Sequence, residues 1–448
     1  MNEESTPMSR RSFLSKSAAG AGAGLVLGAP AILKAAEDGG GQKINIALVG
    51  FGKQGGVLFD SMKNIPGLNF QAVCDIWDYN RKKAMGSVRA HQGNLPKGYS
   101  DIDEMLATEK GLDAAVIAVP DFWHSPHTVK CLEAGLHVYC EKMMSNTIEG
   151  ARAMVHAMEK SGKLCQIGHQ RRSNPRYLYT LRHLINGQKI CGQIVNINGQ
   201  WNRAVKSSQD IAYNPKITVS DEVLNKYGFE SMHQFMNWRF YRDLSGGPIS
   251  DLGAHQIDVF NWFLEARPKS VFASGGNDYF TKREHFDNVM AIFEYDTPQG
   301  NVRAFYQVLT TTSSGGGFYE TFMGTDATVK ISEIASTSAI YRESTAPDWG
   351  DLVDRGYLKR KAVPAPVKSG DGVASYESAA PEIFELPGGF NKPAHQPHLE
   401  NFFASVRNEA KLNCDARHAF ESEAPIFWVN PSALSGQPIQ LTDEHLNV

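Results

Sequence analysis

The sequence predicts an α/β domain with a doubly wound parallel sheet, followed by an α+β domain carrying a large, mostly antiparallel open sheet. Three observations predict it. A glycine-rich turn follows a short apolar run at Lys43–Val49, strand-length apolar runs then alternate with helical patterns as far as Gly168, and beyond Pro175 the chain changes to period-two runs joined by turn sequences. Strands alternating with helices close into a parallel sheet covered on both faces, whereas period-two runs suit a sheet with one solvated face.

Length and composition leave room for both parts. With 448 residues, 42% apolar and 21% charged, the chain can bury two or three cores. Lys+Arg and Asp+Glu nearly balance at 45 and 48, so no overall field draws the protein to nucleic acid. The basic clusters Arg171-Arg172 and Lys359-Arg360-Lys361 are too short to track a phosphate backbone. The six cysteines show no C-x-x-C spacing and lie mostly in apolar runs, so they read as buried thiols rather than a disulfide frame or a metal site.

The first residues read as an address. Ser9-Arg-Arg-Ser-Phe-Leu-Ser-Lys16 precedes sixteen uncharged residues, Ala18 to Leu33, dominated by Ala and Gly. That stretch is shorter and less apolar than the ~20 residues a spanning helix needs. It matches a twin-arginine export signal, with Lys16 one place late, and residues 1–36 are assigned to it. The expectation is a periplasmic or otherwise exported protein, delivered by the twin-arginine machinery with no stable membrane span. That route carries folded proteins, so thiols buried before export need not pair.

Residues 43–168 form the first domain. Its opening strand runs into Gly50-Phe51-Gly52-Lys53-Gln54-Gly55, a helical pattern follows, and a second strand ends in Asp75, twenty residues beyond Gly55. This is the Rossmann dinucleotide fingerprint: Gly50 makes the turn, Gly52 admits a pyrophosphate, Gly55 allows close packing, and the helix start receives the phosphates. A carboxylate at Asp75 suits the ribose hydroxyls and repels a 2′-phosphate, which favours NAD over NADP, although Arg81-Lys82-Lys83 leaves room for the latter. Further strands end at Pro120 and at Glu141-Lys142, and ligands gather at such carboxyl ends.

Residues 169–448 form the second domain. Asn288–Tyr295 and Asn301–Val308 read as a hairpin, and Gln193–Asn198, Lys269–Ala273 and Ala327–Ile331 as further strands. Segments 203–234 and 342–393 look inserted and are candidates for substrate selection or oligomer contacts. Trp201, Tyr213, Trp238 and Tyr241 could stack on a sugar, though aromatics are more often core. Within Ser245–Asp258, Pro248 suits a helix start, and Asp251, His255 and Asp258 would share one helical face. Gly253 would let that face approach a flat ring. Such an Asp–His pair can act as a general base, the carboxylate orienting the imidazole.

Taken together, Gly50–Gly55, Val119-Pro120 with His124, Ala134–Val138, Glu141-Lys142 and Gly246-Gly-x-x-x-Asp251-x-Gly253-x-His255-x-x-Asp258 closely resemble the glucose–fructose oxidoreductase, inositol dehydrogenase and rhizopine-catabolism (Gfo/Idh/MocA) family. The resemblance runs from about Lys43 to the helix His398–Arg407. It implies hydride transfer between a sugar-like alcohol and NAD, with Lys142, Asp251 and His255 as the catalytic set: His255 takes the hydroxyl proton, Lys142 orients that oxygen, and Asp251 tunes or relays. The exported location, with no free dinucleotide to recharge the site, adds that the NAD is tightly held. Cofactor contacts are implied for Gly50, Phe51, Gly52, Lys53, Gln54, Gly55, Asp75, Pro120, Trp123, His124, Glu141, Lys142 and Gln170. Substrate contacts are implied for Arg171, Arg172, Trp238, Asp251 and His255. Two departures from the family pattern are Met143, where proline is usual, and Pro248, where a third glycine is common. A homo-oligomer, dimer or tetramer, is expected. Two rival readings remain open. One is an NAD-dependent glycosidase working by transient oxidation, elimination, water addition and re-reduction; the other is a non-catalytic sugar-binding protein on the same scaffold.

Overall fold

A computed structural model describes residues 42–313, 317–362, 382–390 and 392–448; residues 1–36, where an export signal is expected, lie outside the described residues. Six parallel strands, β1 (Ile44–Val49), β2 (Leu68–Cys74), β3 (Lys97–Tyr99), β4 (Ala114–Ile117), β5 (His137–Cys140) and β6 (Cys165–Ile167), line up in the order β3-β2-β1-β4-β5-β6. Helices α1 (Lys53–Met62), α2 (Asp78–Gln92), α3 (Ile102–Thr108), α4 (Asp121–Glu133) and α5 (Ile148–Ser161) connect them. The order reverses between β1 and β4, and there the strand ends open a crevice.

Strand β1 explains its own apolar run. Ile46 and Leu48 join Leu58, Phe59 and Phe70 on one face, while Ala47 and Val49 join Cys131, Leu132 and Met154 on the other. The first face is sealed by the helix Gln396–Val406, whose Leu399, Phe402 and Phe403 complete that cluster, so the end of the chain returns to the first domain.

The second sheet has ten strands: β7 (Ile194–Asn202), β8 (Pro268–Gly276), β9 (Asn288–Thr297), β10 (Gly300–Leu309), β11 (Phe318–Gly324), β12 (Ala327–Ile331), β13 (Ala339–Arg342), β14 (Lys359–Arg360), β15 (Glu382–Glu385) and β16 (Ile439–Gln440). They run β14-β15-β13-β12-β11-β7-β10-β9-β8-β16, antiparallel except where β7 meets β10. The helix Gly253–Leu264 lies on the inner face, where Phe260 comes so near β7 that a Cβ at Gly199 would sit 2.5 Å from its ring.

The two inserted segments have structure of their own. Residues 203–234 include the helix Asp221–Lys226 and run into the helix Met232–Met236. Their Leu224, Tyr227, Phe229 and Met232 pack against Ile76, Trp77, Phe122 and Trp123 of the first domain. Segment 342–393 supplies β14 and β15, which extend the sheet edge; its residues 363–381 and 391 lie outside the described residues. All six cysteines are buried and free, and burial raises the thiol pKa of each. Among the described residues no helix is long and apolar enough to cross a membrane.

Candidate active site

The glycine turn shows three different uses of a missing side chain. Gly50 has φ +85°, and a Cβ there would lie 2.4 Å from the Ala118 carbonyl oxygen at the end of β4. At Gly55 a Cβ would meet the Gly50 carbonyl oxygen at 2.2 Å. A Cβ at Gly52 would meet nothing within 4 Å, so protein packing does not require glycine there. This open space lies at the start of α1, whose N-cap has no side-chain hydrogen bond and whose first turn carries no acid. Such a terminus suits a dinucleotide pyrophosphate. Phe51 turns its ring into the core against Phe59, and Lys53 is exposed.

Asp75 closes the ribose end. Its carboxylate accepts from the N–H groups of Phe51 and Trp77, both at 2.8 Å, which aims it at the glycine turn. Burial pushes this carboxyl up to about 6, against the pull of those two N–H groups. Each ionised oxygen keeps acceptor capacity for a ribose hydroxyl. Arg81 donates to the Asp75 carbonyl oxygen at 2.9 Å and pairs with Asp78 at 2.7 Å, so it is a local brace rather than a free cation.

At the end of β5, Gln54 reaches from α1 to Glu141, Nε2 to Oε1 3.2 Å, and its Nε2 also lies 3.0 Å from His395 Nε2. Lys142 is next in the chain. Its ammonium donates to the Asp251 carbonyl oxygen at 2.5 Å and lies 3.5 Å from Asp251 Oδ1, leaving a third donor direction for a ligand. The Lys142–Met143 peptide bond is cis. The turn is held from both sides: His124 Nδ1 donates to the Met143 carbonyl oxygen, and the Met144 N–H donates to Glu423 Oε2 at 2.7 Å. Glu423 in turn accepts from His169 at 2.8 Å. Burial lowers His124 to about 4, so it is a neutral brace at physiological pH. Pro120 caps α4 one turn before His124.

The segment 238–258 departs from the sequence expectation. Asp251 and His255 do not share a continuous helix: one helix spans Gly247–Asp251, Leu252 breaks it, and the next begins at Gly253. The expected carboxylate–imidazole hydrogen bond is not formed among the described residues. Cations take the Asp251 carboxylate instead, Arg239 at 3.2 Å, Lys142 at 3.5 Å and Arg203 at 3.8 Å. Burial would raise this carboxyl, but Arg239, Lys142 and Arg203 together hold it well below the usual range. His255 packs its ring against Trp201, centroids 5.5 Å apart, and burial together with the charges of Lys142 and Arg171 keeps the imidazole neutral. The flat ring that approaches Gly253 is Tyr306 of β10, 2.9 Å from where a Cβ would stand. The Tyr306 hydroxyl is buried without a partner among the described residues.

Five further residues that the resemblance assigned to ligands are engaged by the protein itself. Arg171 is buried between Glu320 and Glu333 and lies under Trp201, its guanidinium carbon 5.6 Å from the ring centroid. Arg172 pairs with Asp258 at 2.7 Å and with Ser422 at 2.9 Å. Both guanidiniums are consumed by core carboxylates, so neither offers its charge to a substrate. Trp238 is buried in the cluster of the inserted segment and roofed by Arg239 at 4.1 Å. Trp123 stacks on His127 at 4.9 Å and donates to the Tyr227 carbonyl oxygen at 2.9 Å, facing that segment rather than the glycine turn. Gln170 donates to Glu333 at 3.3 Å.

Arg203, Arg239, Tyr306 and Asp121 reach this region without having been singled out. Asp121 is buried, and its carboxyl rises to about 7 because burial outweighs the nearby Lys142 and Arg239 charges. Trp238-Arg239 precedes the Gly246-Gly motif, a proximity that could have flagged Arg239; Tyr306 reads as core from its period-two strand alone.

A parallel sheet in this order, a glycine turn with open space above it and an acid at the second strand define a dinucleotide-binding domain. The comparisons narrow the class. The NAD-binding Rossmann model of the GFO/IDH/MocA oxidoreductase family matches residues 44–169, and the model of its C-terminal alpha/beta domain matches residues 220–441. The chain belongs to this family and is an NAD-binding oxidoreductase. Among relatives, it is 26% identical to an inositol 2-dehydrogenase of Rubrobacter xylanophilus over 329 residues, covering 72% of this chain and 80% of that one. It is 22% identical to an alpha-N-acetylgalactosaminidase of Bacteroides fragilis over 427 residues, covering 89% and 91%. Against a 4-carboxy-2-hydroxymuconate-6-semialdehyde dehydrogenase of Sphingobium sp. the match is 28% over 151 residues and spans 46% of that relative. The fold superposes on scyllo-inositol dehydrogenase of Lactobacillus casei, solved with NAD(H) and scyllo-inositol, with TM-score 0.63 at 17% identity, covering 89% of this chain and 99% of that one.

Proposed function

We propose that this protein oxidises or reduces a CH–OH group of a sugar, polyol or glycoside, with Lys142, His255 and Asp251 as the reacting set. The observation that carries the reading is the meeting of Lys142 with Asp251 one residue from Glu141, which Gln54 ties to the glycine turn. Bound NAD supplies a hydride acceptor. The free donor of Lys142 holds the substrate oxygen, the neutral His255 imidazole takes the hydroxyl proton, and Asp251 stays ionised and fixes the ammonium. Arg203 and Arg239 hold Asp251 in turn.

Export completes the proposal. Arg10-Arg11 before an Ala/Gly-rich stretch supports a twin-arginine signal, and a protein outside the cytoplasm would need tightly held NAD. Replacing both arginines by lysine should leave the protein in the cytoplasm; unchanged export would contradict this part. A homo-oligomer is supported by the exposed apolar ladder Phe272–Ile292 with Met290 on the outer sheet face, and sedimentation of the purified protein as a monomer would contradict it.

A second reading, an NAD-dependent glycosidase with no net redox change, is favoured by the length of the match to the alpha-N-acetylgalactosaminidase. One experiment separates the two. The purified protein is analysed for retained dinucleotide and offered polyols, sugars and aryl glycosides. Lasting nicotinamide reduction supports the dehydrogenase, whereas aglycone release without lasting reduction supports the glycosidase. Failure to bind any dinucleotide would overturn both.

A further inference from the structure

We propose that Arg176 anchors a second binding site, one that takes a small oxyanion, the carboxylate or phosphate group of a ligand. Arg176 lies on the short helix Pro175–Tyr179, just beyond the turn that carries Arg171 and Arg172. All three arginines are buried, but their surroundings differ. Arg171 and Arg172 each meet a carboxylate, whereas Arg176, 8% exposed, has no acceptor for its guanidinium among the described residues. No protein group among the described residues claims its five donors, and burial lowers the pKa of this group.

Arg176 lines a cavity of about 300 Å³ together with Asn174, Glu333, Phe390, Lys392 and Pro393. Glu333 is the acid on this wall, and its two oxygens are engaged by Arg171 at 3.3 Å and Gln170 at 3.3 Å, so its charge is already answered from the far side. Lys392 adds positive charge, although it also pairs with Glu400 at 2.9 Å. Asn174 uses its oxygen on the Arg176 backbone N–H at 2.9 Å, which leaves its NH₂ as a further donor. A planar guanidinium fork beside an amide donor, against the apolar walls of Phe390 and Pro393, matches a carboxylate or phosphate in a partly desolvated site. None of these residues belongs to the Lys142 set.

The test uses the full chain, wild type and Arg176→Met, titrated separately with inorganic phosphate and with gluconate by calorimetry and by thermal unfolding. The wild type should bind at least one anion and melt higher in its presence. Arg176→Met, which removes a cation with no acceptor among the described residues, should melt no lower than wild type without anion and should lose at least about tenfold in affinity. Response to phosphate alone points to a phosphorylated ligand, and response to gluconate alone to a sugar acid. The proposal is overturned if the wild type binds neither anion, if Arg176→Met binds equally well, or if it melts lower without anion, since the arginine would then have a structural partner.

Discussion

The glycine turn and the segment 238–258 contribute to the same crevice by opposite means. At the turn, the contacts offered to the dinucleotide are backbone groups and space, and the sequence encodes them locally: Gly50, Gly52, Gly55 and Asp75 stand as their spacing requires. In segment 238–258 the chemistry depends on side chains brought from separate elements. Asp251 is held by Lys142 from the end of β5, by Arg239 from a nearby turn and by Arg203 from an inserted segment. Spacing along one helix suggested an Asp–His pair there. Long-range electrostatics made an Asp–cation cluster instead, because three nearby positive charges compete for the carboxylate more strongly than a neutral imidazole.

If the two regions act independently, substitutions should separate binding from turnover. The largest effect is expected at His255: His255→Ala should lower kcat by roughly 10²–10⁴, with dinucleotide affinity unchanged in direct titration. Equal loss of dinucleotide affinity would show that the two regions do not act independently.

Next is Gly52→Val, which fills the open space over the turn and should weaken NAD by on the order of a hundredfold, about 3 kcal/mol. With nothing within 4 Å of its Cβ, the unliganded protein should melt as wild type does. Gly55→Ala, which would strike the Gly50 carbonyl, should lower the melting temperature as well. A Gly52→Val protein that binds NAD normally would mean the space is not the pyrophosphate site.

A smaller effect follows from Asp75. Its folded pKa is raised by burial, so its contribution to stability is present at low pH and is lost as pH rises through about 6. Dinucleotide binding should run the other way, since a ribose hydroxyl favours the carboxylate. Affinity should fall by up to about tenfold per pH unit below 6, and Asp75→Asn should flatten that profile. The smallest effect is expected at Glu423, a positioning residue behind Lys142. Glu423→Gln should reduce kcat severalfold while leaving the KM for dinucleotide unchanged; a matching rise in that KM would assign Glu423 to the fold instead.

Legibility followed the same division. The Rossmann strands β1, β2, β4, β5 and β6 and the hairpin of β9 and β10 were readable because burial on two faces, or alternation on one, writes itself into the local pattern. Strands β3, β14 and β16 were not, being two or three residues long and defined only by their neighbours. The arginine pair shows the limit most plainly. Arg171-Arg172 at a strand end looks like a ligand clamp, yet Glu320, Glu333 and Asp258, at least 86 residues further along the chain, bury both charges. Trp238 likewise reads as a stacking candidate, and Trp123 as a cofactor contact by resemblance, until the inserted segment supplies the cluster that covers them.

The most direct measurement is single-turnover nicotinamide reduction by a polyol or sugar that the wild type oxidises, using Lys142→Met loaded with the same dinucleotide. Lys142→Met should retain the dinucleotide and show transfer slowed by about 10³-fold. Transfer at the wild-type rate would remove Lys142 from the reacting set and contradict the proposed site.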